Sequence, residues 1–377
     1  MNSFCPIALF HLAGAAISIL VVTTALAAEP ADLSPLLNSI LAKHTAPGIV
    51  GAVVEDGKIT ALGAAGVRKA GSAAAMTPRD LIHLGSDTKA MTAVLIGQLI
   101  EKEQLSFDST MAQVFPDLAG QMNAAMASVT VEELLCHTGG LPNNLDWWSI
   151  DRSGQSLSEQ RRAVVHAILS AAPLSEPGTT FSYSNADYVV LGAILDRKTH
   201  RPWEALIRTN LFEPLHMSTA GFGPPGTGGG LDQPWGHVLQ NGAPFPMQAD
   251  NAPVMDSCGR VHCSISDWAK FVSLFLPNGV ERHPLISAAI LHQLLTPPAG
   301  QDYAGGWIIA DRPWAGGTAY THSGSNTMWF CTAWIAPQKN FATLVAINYG
   351  GDDAFQTCDD ATGALIQFHE SQAGGPR

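Results

Sequence analysis

Apolar positions near the N-terminal end of the chain follow first a helical and then a strand-like pattern. Leu and Ile residues recur at the spacing of one helix face over residues 33–43, which predicts a helix. The β-rich segments 49–55 and 58–65 follow, and Asp56-Gly57 between them tolerates the positive φ of a tight hairpin turn. We therefore expect two antiparallel strands directly after the first helix.

The C-terminal end has the complementary pattern, in which strands precede a helix. The sequence predicts strands over 303–311, 318–322, 328–336 and 341–349 and a final helix over 353–370. Both ends would then build one antiparallel sheet covered by helices, which is an α+β fold of the α/β sandwich type. We expect residues 28–104 and 301–377 to form this sheet lobe, and the mostly helical residues 105–300 to form an inserted lobe. A crevice between two such lobes is a common place for a small-molecule site.

The first charged side chain is Glu29, and the preceding residues 7–28 are rich in apolar side chains. The stretch ends in Ala25-Leu26-Ala27, a small-residue pattern typical of cleavage, so we predict a signal peptide over 1–27 and a periplasmic or secreted protein. No Lys or Arg precedes Lys43, whereas signal peptides begin with positive charge. An uncleaved membrane anchor is therefore the alternative. After cleavage we expect no stable membrane insertion.

The overall composition changes the picture in two ways. Of 377 residues, 46% are hydrophobic and 14% are charged, so the chain can bury a large core and is not disordered by composition. Lys and Arg number 20 against 32 Asp and Glu, which gives a net charge of -12. We expect no nucleic-acid partner, because phosphate binding needs clustered positive charge.

Cys5 lies in the predicted signal peptide, so an odd number of cysteines remains in the mature chain. We expect buried thiols that pack as small hydrophobic side chains, with a disulfide between Cys258 and Cys263 as the alternative. The adjacent Cys-His pairs at 136–137 and 262–263 lack the spacing of a zinc site. We therefore expect no metal and no organic cofactor.

Ser86 and Lys89 open a segment rich in helix formers that extends to Leu105. Residues three apart share a helix face, so the lysine amine can stand beside the serine hydroxyl. A serine hydroxyl is a poor nucleophile without a neighbouring base, and a lysine in an apolar cleft can lose its proton near neutral pH. The Ser86 N–H at the helix start could also bind a developing oxyanion. A chance match of this short pattern is the alternative.

Tyr183 and Asn185 lie between a Pro-Gly turn at 177–178 and an apolar helix predicted over 188–195. A phenol beside a cationic lysine can relay a proton, and the asparagine amide can orient both the lysine and a substrate amide. A half-buried tyrosine that only packs against its neighbours is the alternative.

His322, Ser323, Gly324 and Ser325 lie at the end of a predicted strand. Small residues there would let a substrate backbone lie along the strand edge, and the Ser325 N–H could be the second oxyanion donor. His322 could hydrogen-bond a substrate carboxylate or Tyr183, with a purely structural histidine as the alternative.

Ser-x-x-Lys, Tyr-x-Asn and His-x-Gly occur in that order, on a helix start, a loop and a strand end. In this arrangement the chain resembles the superfamily of serine beta-lactamases and penicillin-binding proteins, in particular its class C-like branch with DD-peptidases, D-aminopeptidases and family VIII esterases. The resemblance covers almost all of the mature chain. It implies Ser86 as the acylated nucleophile, Lys89 as its base, Tyr183 as a proton shuttle and Asn185 as a substrate-orienting residue. It also places the oxyanion hole at the amides of Ser86 and Ser325.

The resemblance further implies an exported serine hydrolase that forms an acyl-enzyme with an amide or ester of a small molecule or peptide. Class C beta-lactamases carry Lys-Thr-Gly where this chain has His322-Ser323-Gly324, which is closer to the His-Thr-Gly of many DD-peptidases. D-amino-acid peptides, small esters and beta-lactams stay open as substrates. The alternatives to a DD-peptidase-like, D-aminopeptidase-like or esterase-like enzyme are a class C-like beta-lactamase and a penicillin-binding or sensing module without turnover.

Overall fold

The computed structural model describes Met1, residues 29–148 and residues 155–373. Apart from Met1, the predicted signal peptide over 1–27 lies outside the described residues. Within the ranges described, no helix is both long enough and apolar enough to cross a membrane.

The regular elements comprise short and long strands interspersed with helices along the whole described chain. The strands are β1 (Ala31–Asp32), β2 (Gly48–Glu55), β3 (Lys58–Gly66), β4 (Leu81–His83), β5 (Gly221–Phe222), β6 (Gly236–Gln240), β7 (Ala243–Met247), β8 (Val261–Ser264), β9 (Tyr303–Ala304), β10 (Trp307–Arg312), β11 (Gly317–Ser325), β12 (Phe330–Ala336) and β13 (Phe341–Ile347). The α-helices are α1 (Ser34–Leu41), α2 (Thr88–Glu101), α3 (Met111–Val114), α4 (Ala124–Ser128), α5 (Val131–Leu135), α6 (Leu157–Ser170), α7 (Asn185–Thr199), α8 (Trp203–Ile207), α9 (Asp256–Gly259), α10 (Ile265–Val272), α11 (Gly279–Arg282), α12 (Ala288–Leu294) and α13 (Ala354–Ala373).

The main sheet is built by both ends of the chain, as the hydrophobic pattern predicts. Its strand order is β1-β3-β2-β13-β12-β11-β10-β9, and its neighbours are antiparallel except for the parallel pair of β1 and β3. The predicted α+β sandwich is therefore confirmed. The single strand predicted over 303–311 is wrong in one respect. It is divided into β9 and β10, because Gly305 and Gly306 adopt positive φ and interrupt the extended chain.

Both faces of the main sheet are covered by helices. Successive side chains of its central strands point to opposite sides, so one strand contributes to both layers. In β2, Ile49 and Val53 pack against residues of α1 and α13, whereas Val50 and Val54 belong to the larger core that includes α2. Every residue of β2 except Glu55 is buried. Fully burying one aliphatic side chain stabilises a fold by about 1.5–3 kcal/mol, so these two layers hold the sheet firmly between them.

The segment between the sheet-forming ends is mostly helical, as expected, but it also contributes to two small sheets. β5 and β8 join β4 in one of them, and β6 pairs with β7 in the other. Most residues of α2 and most of α7 are buried, so these helices form the centre of the helical region. The beginnings of both helices lie in the candidate site. The lobe boundaries at residues 104 and 301 stay a prediction.

A buried ion-pair network joins α6, α7 and α8. The Arg161 side chain is 0% exposed, and its guanidinium contacts Asp196 at 2.8 Å and Glu204 at 2.6 Å. Nε and Nη2 together make a two-point contact with the Asp196 carboxylate. Removing one side of such a network is strongly destabilising, because the opposite charges stay buried without a partner.

We expect Arg161→Ala to lower the free energy of unfolding by about 3–5 kcal/mol, because two carboxylates lose their buried counter-ion. Arg162→Ala is the matched control, since this neighbouring side chain is 66% exposed and pairs with Asp117 at the surface. The control should lower stability by at most about 1 kcal/mol. Urea denaturation measures both changes, and equal losses would show that the buried network does not stabilise the helical region.

Candidate active site

Ser86 lies in a short 3₁₀ turn, Gly85–Asp87, between β4 and α2. The expected helix therefore begins two residues later, at Thr88, and Ser86 itself is half-buried. Gly85 has φ of +48° and lies so close to β11 that a Cβ atom on it would meet the Ser325 nitrogen at 2.3 Å. Glycine is required there, and the turn is consequently in direct backbone contact with the end of β11.

The Lys89 side chain is fully buried, and its amine is surrounded by oxygen atoms. Nζ lies 3.2 Å from Ser86 Oγ, 2.7 Å from Asn185 Oδ1 and 2.9 Å from the Cys258 carbonyl oxygen. The amide and carbonyl oxygens can only accept hydrogen bonds, whereas the Ser86 hydroxyl can also donate. A neutral amine would therefore donate to Asn185 and Cys258 and present its lone pair to the Ser86 hydroxyl.

Tyr183 and Asn185 lie at the start of α7, where Ser184 is the N-cap. Ser184 Oγ accepts a hydrogen bond from the Asp187 N–H, which fixes the chain as it enters the helix. The Tyr183 ring faces Lys89, with Nζ 4.7 Å from the ring centroid. Because Asn185 contacts the same amine through Oδ1, the start of α7 supplies two neighbours of the buried lysine.

Residues 322–325 are the last four of β11, and they run beside the turn that carries Ser86. A Cβ atom on Gly324 would meet the Leu84 carbonyl oxygen at 1.9 Å, so the two backbones leave no room for a side chain. Ser323 Oγ lies 2.9 Å from Thr332 Oγ1 of the neighbouring strand. The fold thus brings the Ser-x-x-Lys, Tyr-x-Asn and His-x-Gly segments into one place. The functional roles of the individual residues stay predictions.

Both ring nitrogens of His322 already have partners. Nε2 lies 3.2 Å from the Tyr303 hydroxyl, and Nδ1 lies 3.1 Å from Asp87 Oδ1. Burial raises the pKa of Tyr303, so its hydroxyl stays a neutral phenol that can donate to Nε2. Burial also raises the pKa of Asp87, and the hydrogen bond with His322 offsets this only in part. The tyrosine hydrogen-bonded to His322 is thus Tyr303 and not the expected Tyr183, and a substrate carboxylate would compete with it for this ring.

His137 and Asp187 form a hydrogen-bonded pair behind Tyr183. No sequence pattern indicated this pair. His137 Nδ1 is 2.6 Å from Asp187 Oδ2, and the ring centroids of His137 and Tyr183 are 4.5 Å apart. Burial lowers the pKa of His137 and raises that of Asp187, because both side chains are taken out of water. Asp187 lies four residues after Tyr183 at the start of the same helix, whereas His137 follows α5, and the fold alone brings it to this pair.

Five of the predicted residues line a cleft of about 650 Å³, namely Ser86, Tyr183, His322, Ser323 and Ser325, whereas Lys89, Asn185 and Gly324 are not part of its wall. Besides the serine, the tyrosines and the β11 residues already described, its walls include Phe181, Ile308, Trp334 and Phe355, together with the charged Arg312 and Asp359. Another cavity of similar volume lies among α3, α6 and α7, and none of the predicted site residues lines it. The cleft at Ser86 therefore combines the reactive groups with mainly apolar walls, as small-molecule sites usually do.

In the parts of the chain that the structure describes, no group of three or more His, Cys, Asp or Glu side chains is placed to hold a metal ion. The cysteines in these parts are buried and free, so Cys258 and Cys263 form no disulfide. Burial raises the pKa of the Cys258 thiol to about 11 and that of Cys136 to about 12. Such thiols stay protonated at neutral pH and are poor nucleophiles.

Comparisons with known proteins show which family this chain resembles. A family model described as Beta-lactamase matches residues 33–366. Penicillin-binding protein 4 of Amycolatopsis lactamdurans is 27% identical in an alignment of 342 positions, and the match covers 85% of this chain and 85% of that protein. Protein flp of Staphylococcus aureus is 23% identical over 85% of this chain, which spans only 63% of that relative.

Among solved structures, D-amino acid amidase from Ochrobactrum anthropi SV3, complexed with L-phenylalanine amide, is similar with a TM-score of 0.73. The two share 18% sequence identity, and the match covers 90% of this chain and 99% of that chain. At this level of identity the likeness shows the fold.

We expect Gly324→Ala to disturb the contact between β11 and the serine turn, because the new methyl group would meet backbone atoms of Leu84 that no side-chain rotation can move. The free energy of unfolding should fall by about 1–3 kcal/mol. Labelling of Ser86 by a fluorophosphonate should slow by about 10²-fold if an oxyanion donor moves. Gly363→Ala is the matched control, since a Cβ atom there meets nothing within 4 Å. Thermal unfolding and labelling rates that are the same in both variants would contradict the tight contact.

Proposed function

This chain belongs to the beta-lactamase family, and from that premise we propose that it is an exported serine hydrolase that forms an acyl-enzyme at Ser86. The observation that carries the proposal is the 3.2 Å separation of Lys89 Nζ from Ser86 Oγ in an open cleft. A hydroxyl beside a buried amine is an arrangement that activates serine as a nucleophile. Relatives named as a penicillin-binding protein and a D-amino acid amidase support hydrolysis at a carbonyl group.

In the acylation step, the Ser86 oxygen attacks the substrate carbonyl carbon while its proton passes to the lone pair of the Lys89 nitrogen. The carbonyl π electrons move onto oxygen, where the amides of Ser86 and Ser325 stabilise the negative charge. When the tetrahedral intermediate collapses, the leaving amine or alcohol takes the proton from Lys89, and the acyl group stays on Ser86.

In the deacylation step, a water molecule attacks the acyl carbon and its proton passes to a base. We assign this base to Tyr183 together with Lys89, because the phenol ring lies against the amine. The second tetrahedral intermediate then releases the acid, and the Ser86 oxygen recovers the proton. Asn185 holds the amine in place throughout, since its Oδ1 accepts a hydrogen bond from Nζ at 2.7 Å.

The substrate we propose is a small molecule or peptide with an amide or ester bond and an apolar group. Phe181, Ile308, Trp334 and Phe355 support this choice, because apolar walls favour an apolar substrate group. The histidine at position 322, in place of the lysine of class C beta-lactamases, favours D-amino-acid peptides and esters over beta-lactams. Export rests on the apolar pattern over residues 1–27, and a mature N-terminus at residue 28 would support it.

Ser86→Ala should abolish both fluorophosphonate labelling and turnover, because the attacking oxygen is lost while the fold has no need of it. The panel for turnover is a D-Ala-D-Ala peptide, a p-nitrophenyl ester and a chromogenic cephalosporin. Ser371→Ala, at an exposed serine on α13, should label and turn over like the wild type. A label that persists in Ser86→Ala would place the nucleophile elsewhere, and wild-type label without any product release would favour the binding or sensing module.

Tyr183→Phe should lower kcat by about 10²–10⁴-fold, the range expected when a general acid or base is removed. Its melting temperature should change little, since the ring that packs against Lys89 is kept. Tyr320→Phe removes the hydroxyl of a half-buried tyrosine on β11 and should leave kcat unchanged. Steady-state kinetics with the best substrate of the panel measures both variants. Equal kcat values would remove Tyr183 from the proton relay.

A further inference from the structure

Asp250 is a buried residue that the proposed mechanism does not use. Its side chain is 2% exposed and lies in the segment between β7 and α9. Oδ2 accepts hydrogen bonds from His83 Nε2 at 2.8 Å and Arg260 Nε at 3.3 Å. Oδ1 accepts one from Asn326 Nδ2 at 2.9 Å and one from the Asn251 N–H at 2.7 Å. Burial alone would raise the pKa of Asp250, but His83, Arg260 and Asn326 hold it below its usual range, so the group is a carboxylate at neutral pH.

The first arm from this carboxylate leads through His83 to the turn that carries Ser86. His83 is the last residue of β4 and is fully buried. Its Nε2 faces Asp250, and its Nδ1 accepts a hydrogen bond from the Gly85 N–H at 3.1 Å. Because Nδ1 is the acceptor, the ring proton must lie on Nε2. Asp250 thereby stabilises the one neutral tautomer that can hold the Gly85 amide, one residue before Ser86.

The second arm leads through Asn326 to the end of β11. Asn326 is 1% exposed and directly follows Ser325. While its Nδ2 donates to Asp250, its Oδ1 accepts hydrogen bonds from the Met328 N–H at 3.1 Å and the Trp329 N–H at 3.0 Å. The side chain therefore fixes the course of the chain immediately after Ser325.

We propose that Asp250 is a positioning residue that aligns the amides of Ser86 and Ser325 through these two arms. The inference rests on the proposed acyl-enzyme, because the two amides are its oxyanion donors. The arms end on segments that touch, since a Cβ atom on Gly85 would meet the Ser325 nitrogen at 2.3 Å. Donors stabilise an oxyanion only within about 2.7–3.1 Å of it, so a small displacement of either segment raises the barrier more than it weakens substrate binding.

Asparagine at position 250 would keep the shape of the side chain but could not serve both arms. A carboxylate accepts hydrogen bonds at both oxygens, whereas an amide accepts at one end and donates at the other. With the amide oxygen towards His83, its NH₂ group would face the NH₂ group of Asn326. With the oxygen towards Asn326, the NH₂ group would force the other tautomer of His83, whose Nδ1 proton repels the Gly85 N–H.

A second substitution restores the complementarity of the two side-chain arms, although the Asn251 N–H then faces the new NH₂ group. In the Asp250→Asn/Asn326→Asp double variant, the new amide donates to the new carboxylate and accepts from His83 and Arg260. The new carboxylate still accepts from the N–H groups of Met328 and Trp329. The side-chain donors of both arms then face acceptors, and the number of charges is unchanged.

The experiment compares the full-length wild type with Asp250→Asn and with this double variant. The readouts are the second-order rate of fluorophosphonate labelling, kcat and KM for a p-nitrophenyl ester, and the melting temperature. Rates are expressed per labelled active site, so that unfolded protein does not count. We expect Asp250→Asn to lower the labelling rate and kcat by about 10- to 100-fold while KM changes by less than about threefold, because the oxyanion forms only after binding. The double variant should recover both rates to within about threefold of the wild type.

Asp267→Asn is the matched control. The carboxylate of this buried aspartate on α10 accepts hydrogen bonds from Thr219 and Lys270, neither of which belongs to either arm. The substitution should lower the melting temperature but leave the rates per active site unchanged. If Asp250 were merely structural, Asp250→Asn would also lower the melting temperature and leave the rates per active site unchanged.

Wild-type rates per active site in Asp250→Asn, or a folded double variant that stays slow, would overturn the proposal. If Asp250→Asn does not fold, Asn326→Ala removes the second arm alone and is measured in the same way. A slow rate per active site in Asn326→Ala supports the alignment, and a wild-type rate overturns it. A wild type that is neither labelled nor active would instead refute the acyl-enzyme itself, and the inference with it.

Discussion

The buried amine of Lys89 is the group on which the candidate site depends. Its oxygen partners come from three separate segments, namely the turn before α2, the start of α7 and the backbone of α9. A polar group taken out of water is stable only when its hydrogen bonds are made, so the fold must bring all three segments to this point. The same contacts that satisfy the amine also place the Ser86 hydroxyl beside it, so the geometry on which the proposed acylation rests follows from how the buried group is accommodated.

A second constraint is the direct backbone contact between the main sheet and the helical region. Gly85 lies against the nitrogen of Ser325, and Gly324 lies against the carbonyl of Leu84. Contacts of this kind have no rotatable side chain to absorb a displacement, so the spacing of the two amides follows the spacing of β11 and the serine turn. The Asp250 carboxylate holds both segments from behind through hydrogen bonds. Electrostatic stabilisation of an oxyanion needs donors that are fixed before the reaction. The glycine contacts and the Asp250 hydrogen bonds both restrict the movement of the two segments.

Much of the fold could be predicted because its elements have strong local patterns. The strands near 49–65 and 318–349 follow from β-rich runs bounded by turns, and the terminal helices follow from apolar residues at helical spacing. Two local details were wrong. Gly305 and Gly306 split one strand into β9 and β10, and the helix after Ser86 begins only at Thr88. Both depend on backbone dihedral angles that neighbouring segments impose.

The sequence by itself determined which chemical groups are available and near which kind of element each lies: a serine and lysine at a helix start, a tyrosine and asparagine at the entry to another helix, and small residues at a strand end. Only the tertiary structure decided which side chains meet. It paired His322 with Tyr303 and Asp87, brought His137 to Asp187 behind Tyr183, and linked Asp250 to both ends of the site. The physical reason is range, since periodicity and turn chemistry act over a few residues, whereas hydrogen bonds between buried groups depend on distances that the packing of the whole chain sets.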